Sequence, residues 1–596
     1  VHMRRDHGSW RPPVDMDGDN PSDLFEWLHA RADRTRRNWV VTQDAKAALC
    51  LTGWWERAER HGVIWEPRGK GGPRYTTRGT GDTPVSIRRL GIDGRAGFID
   101  YAWRGKRFVW VSVSNYLQAH PEEIAESLLF SWPDTPHLPT GTPTHQRTPR
   151  DRAYLWAAVA RALSDWWQSS ARAPLGLTAG QCAVGILRSH IEPKSLCTHS
   201  CPEAAELERA ASFGGRASVW YYGDVGTPAA HPRPGCPAPA PSPHGSVPGQ
   251  AVMLDVRSMY PSILRDERFP VALTSYRPRC PAGEPAALAR SFGVVARVRV
   301  RVDDPFVPCR RGERIVYPLG TFWTTLTGPE LLRLRGRGKV LQCEGLAVYR
   351  LGTPFRAAAI AMLDMRRSAR LGNRWAWEMF AKLVSNSLGG KLAQRSGRWV
   401  ERRHKPAAVQ WGEWTEDGDS VGRVRRFRSL AGLVWEWNPD MGKPGPFAAA
   451  FAYLTALGRI LTEQVREGLP RHAVYAQDTD GIWVTPATVD VLRNRGELFG
   501  DEPGQLVVKD VVEAARWYGA RHYWTPGRWV MAGIHNPVPA ADGTGFTDTF
   551  APNPLRSVSG GAPTVVTVQG RQCVLKVEPG AGKIGPDGWQ SPPTFG

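Results

Sequence analysis

Apolar and polar positions repeat with different periods along the chain. In "NWVVTQDAKAALCLTGWW" (38–55) a β-prone run precedes helically spaced apolar residues, which predicts a strand running into a helix. Residues 86–118 alternate in strand fashion, most clearly in "AGFIDYAW" and "FVWVSVSNYL". Prolines and threonines over 131–149 predict a loop. The next segment, "DRAYLWAAVARALSDWWQ", sets Leu155, Val159, Ala162 and Trp166 at helical spacing. From Gly223 to Gly249 proline, glycine and small residues predominate, a composition that argues against a core element and predicts an exposed insertion or linker. No internal repeat is visible.

Three later segments join pattern to chemistry. In "QAVMLDVRSMYPSIL" (250–264) a short strand puts Met253 and Asp255 on one face and Val252 and Leu254 on the other, and the chain turns at Tyr260-Pro261. In "HAVYAQDTDGIWVT" (472–485) two β-prone runs meet at "DTDG". If the pleat continues, Asp478 and Asp480 point the same way. Three carboxylates on neighbouring strands make a hard, oxygen-rich site suited to Mg²⁺; the same residues also read as Asx-rich turns beside buried strands. Between these segments, "RWAWEMFAKLVSNSLGGKLAQR" carries an apolar helical stripe of Trp377, Phe380, Leu383 and Val384, with Lys382 and Asn386 (i, i+4) on another face. A lysine so placed can hold a triphosphate as a point charge. An antiparallel helix just upstream adds Arg366, Arg367 and Arg370, which equally suit a solvated charged face.

Composition narrows the classes. The chain has 596 residues, enough for several domains, and 41% of them are hydrophobic, enough for cores. A net charge of +20 suits an anionic polymer as partner, although membrane-surface proteins share it. The 26 tryptophans can stack on bases but mostly suit cores. Nine cysteines in so long a chain do not form a disulfide framework and fit a reducing compartment. No apolar run is long enough to span a bilayer and no secretory signal opens the chain, so no membrane partner and a cytoplasmic location are expected. Cys197, His199 and Cys201, with His190 nearby, are weighed as zinc ligands, but their spacing and irregular segment favour ordinary loop residues.

The three segments resemble, in order, the three polymerase motifs of family B DNA polymerases. An aspartate followed by S-L/M-Y-P is matched by Asp255, Ser258, Met259, Tyr260 and Pro261. K-x-x-x-N-S-x-Y-G is matched by Lys382, Asn386, Ser387 and Gly390. Y-x-D-T-D-S is matched by Tyr475, Asp478, Thr479 and Asp480, with one extra residue before the aspartates. "GARHYW" is similar to the K-x-Y primer-binding motif, with Arg521 for the lysine and Tyr523 retained. "ASFGGRASVW" is similar to the Y-x-G-G motif of the protein-primed phage and plasmid members, through Gly214, Gly215 and Arg216, with Ser212 in the tyrosine's place. The resemblance covers roughly the last two-thirds of the chain. It implies Asp255, Asp478 and Asp480 as ligands of two Mg²⁺ or Mn²⁺ ions and Tyr260 as a steric barrier to a 2′ hydroxyl. Lys382 and Asn386, helped by Arg366 or Arg370, would bind the incoming deoxynucleoside triphosphate. Gly214, Gly215, Arg216, Gly389, Gly390, Arg521 and Tyr523 would meet primer–template DNA. A priming protein is a further candidate partner; RNA, DNA or no primer stay open.

Two departures matter. Gly389 replaces the family tyrosine that packs against the nascent base pair; Gly389-Gly390 also read as a helix terminator. In the N-terminal part "WVVTQDAKAAL" resembles a family exonuclease strand, but Thr42-Gln43 replace histidine and asparagine and Ala47 stands where aspartate belongs. No D-x-E lies upstream, and Asp151 has Arg147 in place of the motif tyrosine. The expected architecture is α/β, a right-hand polymerase with an N-terminal exonuclease-like domain of RNase H type. Its parts are an inactive exonuclease-like domain (1–190), a connecting segment with a proline-rich insertion (191–248), palm (249–355), fingers (356–395), palm again (396–515), and thumb with the C-terminal region (516–596). The expected function is DNA-directed DNA polymerisation by two-metal catalysis, without 3′→5′ proofreading and with low fidelity. The rivals are a lesion-bypass or template-relaxed polymerase of a mobile element or defence system, and a non-catalytic DNA-binding scaffold descended from a polymerase.

Overall fold

The computed structural model describes residues 149–230, 238–312, 314–394, 447–496, 498–532 and 582–595 without a break, together with 236 and parts of 5–124, 398–438 and 538–574. Gln43, Ala47 and Arg147 lie outside the described residues.

The N-terminal part is built on a six-stranded mixed sheet, in the order Arg37–Thr42, Lys106–Ser112, Phe98–Trp103, Val85–Gly91, Val63–Trp65, Tyr75–Thr76. Lys106–Ser112 is buried along almost its whole length rather than alternately, as expected of a strand covered on both faces. Trp54, Tyr101, Trp103, Phe108 and Trp110 fill its core. The predicted helix spans Pro149–Ala171 and leads to a second, Ala179–His190, whose Thr178 side chain caps the first turn by accepting from the Gln181 amide.

These helices join the N-terminal part to a helical hairpin formed by Arg356–Leu371 and Trp375–Leu392. Trp166 stacks on Trp377 (ring centroids 5.5 Å apart), and Trp167 and Tyr116 close on Phe380. The apolar stripe read from the sequence is therefore the seam with the N-terminal part. The second helix continues through Gly389 and Gly390 to Leu392, so this pair does not end it. Packing overrides the terminator signal here, because Gly389 lies buried against Leu454.

The central sheet has five antiparallel strands in the order Leu506–Val512, Ala251–Val256, Gly481–Val484, Val474–Asp478, Ala217–Val219. Helices Met259–Asp266 and Ala448–Arg466 pack with it in one large core. A second five-stranded sheet contains Phe269–Arg277, Gly338–Gly352, Gly293–Val302, Leu319–Thr327 and, parallel to the last of these, the C-terminal strand Thr594–Phe595. A four-stranded sheet of residues 398–438 follows the helical hairpin, and its Trp435 is buried in the N-terminal core.

A third five-stranded sheet corrects one sequence expectation. The proline- and glycine-rich stretch is not all surface, for its strand Asp224–Val225 is buried between Ser246–Val247 and Ala515–Gly519. Arg516 donates from Nε to Asp224 (2.6 Å) with both side chains buried. A two-residue strand is too short to leave a period in the sequence. Among the described residues no helix is long and apolar enough to cross a membrane.

Candidate active site

Gly481 opens its strand between Asp255 on one neighbouring strand and Asp478 on the other, in register with both. A Cβ at Gly481 would stand 2.9 Å from Met253 Cε and 3.9 Å from Asp255 Oδ1, so the bare backbone keeps room beside Asp255. Asp478 ends its strand, and Thr479 and Asp480 form the two-residue turn that leads into Gly481. The expectation that the pleat carries Asp478 and Asp480 onto one face is therefore corrected, because the hairpin turns between them. The turn returns Asp480 to the same end of the sheet, where its carbonyl accepts from the Val256 amide (3.0 Å).

Negative charge is concentrated in this cluster. Burial, then the neighbouring Asp255 charge and more weakly Asp478, push the Asp480 carboxyl above the usual carboxylate range. Two side-chain cations answer the other acids. Lys509 Nζ donates to Asp255 (3.0 Å), and Arg521 Nε lies 3.0 Å from each oxygen of Asp478. Among the described residues no three metal-ligating side chains converge on one point as they stand. The donor set, three carboxylates and nothing softer, nonetheless fits Mg²⁺ or Mn²⁺. Lys509 escaped the sequence reading. The pairing register slips so that Met253 faces Asp510 while Leu254 faces Val508, leaving Lys509 as the extra residue of a β-bulge that aims it at Asp255.

The helical hairpin reaches this end of the sheet through Arg366, which donates to Ser258 Oγ (2.6 Å). Arg366 and Arg370 both pair with Glu378 of the opposite helix. Burial works to raise the Glu378 carboxyl, and the two guanidiniums outweigh it, so its pKa falls. Lys382 and Asn386 are exposed on one helix face, with no partner among the described residues. Tyr260, in the helix that follows Asp255, has its hydroxyl pushed up to about 12, chiefly by burial. Its ring rests on Gly458, where a Cβ would stand 3.2 Å from the ring edge.

Residues 235–397 match the family "DNA polymerase type B, organellar and viral". That segment contains the Asp255–Pro261 and Lys382–Gly390 motifs. No curated protein sequence matches the chain. Among solved structures, Phi29 DNA polymerase complexed with primer-template DNA and incoming nucleotide substrates is similar over 93% of each chain, at 15% identity and a TM-score of 0.60. The orthorhombic crystal form of Phi29 DNA polymerase is similar over 96% of this chain and 95% of that one, at 14% identity and a TM-score of 0.60. Residues 235–397 thus resemble the type B DNA polymerases, and the chain as a whole shares the fold of Phi29 DNA polymerase. That fold comprises palm, fingers, thumb and an exonuclease domain.

Within this polymerase fold the remaining candidates separate. Arg521 is exposed beside Asp478, whereas Tyr523 is buried against Trp483 (5.8 Å). The latter belongs to a core shared by Tyr475, Trp517 and Trp589. Arg216 is only 5% exposed: it donates to Ser218 Oγ and to the Pro305 carbonyl, and lies over the Tyr317 ring at 3.9 Å. Gly214 has φ +75°, and Gly215 presses on Thr479. At position 389 no gap stands where the family tyrosine would be, because a Cβ there would lie 2.8 Å from Leu454 Cδ2. His199 Nε2 and the Tyr349 hydroxyl both meet Glu208 Oε1, at 2.7 and 2.8 Å, and Cys197 and Cys201 make local contacts with the Lys194 carbonyl and Glu203.

Proposed function

We propose that this protein is a DNA-directed DNA polymerase that adds deoxynucleotides to a primer 3′ end, with primer–template DNA and deoxynucleoside triphosphates as its partners. The observation that carries the reading is the in-register placement of Asp255 and Asp478 on either side of Gly481, with the raised carboxyl of Asp480 in the turn between the strands. A buried acid raised by burial and by neighbouring acids has no folding purpose, which disfavours the idle scaffold.

Asp255 and Asp480, with Asp478 beside them, would hold the divalent ions, whose chemistry is to activate the 3′ hydroxyl and stabilise the leaving pyrophosphate. Lys382 and Asn386 bind the triphosphate from the fingers, and Arg366 and Arg370 add positive charge beside it. Tyr260, fixed on Gly458, closes the floor beneath the sugar and excludes a 2′ hydroxyl. Arg521, beside Asp478, would hold the primer strand, and Lys509 supplies a second cation at Asp255.

The lost exonuclease carboxylates support a polymerase without 3′→5′ proofreading, since a two-metal nuclease needs more than one acid. Gly389 supports low fidelity, because no ring is offered to the nascent pair. Primer extension on a defined template, with each nucleotide supplied separately and Mg²⁺ or Mn²⁺ present, tests the reading. Template-directed addition supports it. Addition that ignores template identity would favour the template-relaxed alternative, and no addition would favour the scaffold.

A further inference from the structure

We infer that Gly215 is a positioning residue of the active site, acting through Thr479 on Asp478 and Asp480, rather than a DNA contact. The inference rests on the polymerase reading for its kinetic consequence.

Thr479 has φ +59°, a left-handed conformation unfavourable for a β-branched residue. The conformation is required by the tight turn that brings Asp480 back beside Asp478. Three contacts hold it. The Thr479 amide donates to the Arg216 carbonyl (2.8 Å), its hydroxyl donates to Asp478 Oδ1 (3.1 Å), and its side chain lies on the bare backbone of Gly215. A Cβ at 215 would stand 2.7 Å from Thr479 Cγ2 and 2.8 Å from Oγ1, closer than real Cβ atoms come.

The surface beneath Thr479 is itself fixed. Arg459, buried in the long helix, donates to the Gly214 carbonyl and to Glu330 (2.6 Å). Arg216 is anchored in the protein interior, with Glu463 at 3.7 Å. Ala217 and Ser218 then pair with Asp478 and Gln477 as the sheet's edge strand. The Gly214-Gly215-Arg216 segment is thus a rigid bed for the carboxylate-bearing turn, and its one long basic side chain points into the protein. Alanine at 215 would lift the turn and shift both aspartates, while leaving the exposed basic residues that meet DNA untouched.

The test compares the native full-length protein with Gly215→Ala, Thr479→Gly and the double variant. Thr479→Gly removes both clashing atoms and accepts a left-handed φ without strain. For Gly215→Ala we expect kcat for correct insertion to fall at least about tenfold, with primer–template affinity within about twofold of native. Mn²⁺ binding to the free protein, read by calorimetry or electron paramagnetic resonance, should weaken. Adding Thr479→Gly should raise kcat and Mn²⁺ affinity above those of Gly215→Ala alone. The inference is overturned if Gly215→Ala weakens DNA binding while saturated kcat stays native, if the second substitution recovers nothing, or if Gly215→Ala changes nothing. An unfolded Gly215→Ala leaves the decision to the double variant against Thr479→Gly, whose near-equal kcat and Mn²⁺ affinity would support the coupling and whose divergence would overturn it. If the native protein does not polymerise, the proposed function fails separately, and the Mn²⁺ comparison still decides the positioning role.

Discussion

Placing a tyrosine at 389 should first destabilise the protein and only then, once room is made, improve its fidelity. The first atom of the new side chain would stand 2.8 Å from Leu454 Cδ2, several tenths of an ångström inside ordinary contact. Leu454 is itself buried in the long helix Ala448–Arg466. Overpacking of this kind costs about 1–3 kcal/mol. Leu454→Ala alone should cost about 2–5 kcal/mol through the cavity it opens. The two changes should compensate, because the ring's stem fills the space the leucine leaves, so the double variant should be more stable than the sum of the single effects. Thermal or denaturant unfolding of the four proteins measures this coupling. In the double variant the ring is free to reach the nascent pair, and steady-state misinsertion should fall by roughly ten- to a hundredfold, the worth of about 1–3 kcal/mol of discrimination. Additive destabilisation would show that Gly389 and Leu454 do not share space. Unchanged misinsertion, with correct insertion healthy and the coupling present, would show that Gly389 serves helix packing alone and would refute the low-fidelity argument.

Two further outcomes are expected. Labelled single-stranded DNA incubated with Mg²⁺ or Mn²⁺ should stay full length, and shortening that copurifies with the protein and vanishes in Asp151→Ala would show that nuclease ligands were misplaced. Trp589→Ala should destabilise the protein by about 3–5 kcal/mol, since this C-terminal ring lies buried against Tyr221 (4.8 Å), His472 (4.5 Å) and Tyr475 (6.1 Å); a loss below about 1 kcal/mol in denaturant unfolding would contradict its place in the core shared with Tyr475 and Trp517.

Local signals read well where one element carries both pattern and chemistry. The Asp255 strand, the paired β-runs around "DTDG" and the helical stripe through Phe380 all lie where their periods place them. What the sequence hid depends on partners far along the chain. Lys509 reaches Asp255 only because a bulge breaks the period of two, and Asp224 is a core residue only because Arg516, 292 positions later, is its counter-ion. Gly389 reads as a stop signal until Leu454 is brought against it by a helix that starts more than fifty residues downstream. Arg216 carries a charge that composition assigns to DNA, and tertiary packing turns it inward. The C-terminal strand Thr594–Phe595 pairs in parallel with Leu319 and Gly320, a contact that no local pattern announces.

The central claim is that the carboxylates around Gly481 carry the chemistry while basic contacts spread over the fold carry DNA binding. Single-turnover primer extension by the native protein, Asp255→Ala and Asp480→Ala, run beside primer–template affinity in the same buffer, tests it most directly. The account predicts that each substitution lowers the rate of addition by more than about a thousandfold and leaves DNA affinity within a few-fold of native. Substantial extension by both variants, or a loss of extension fully explained by lost DNA binding, would contradict it.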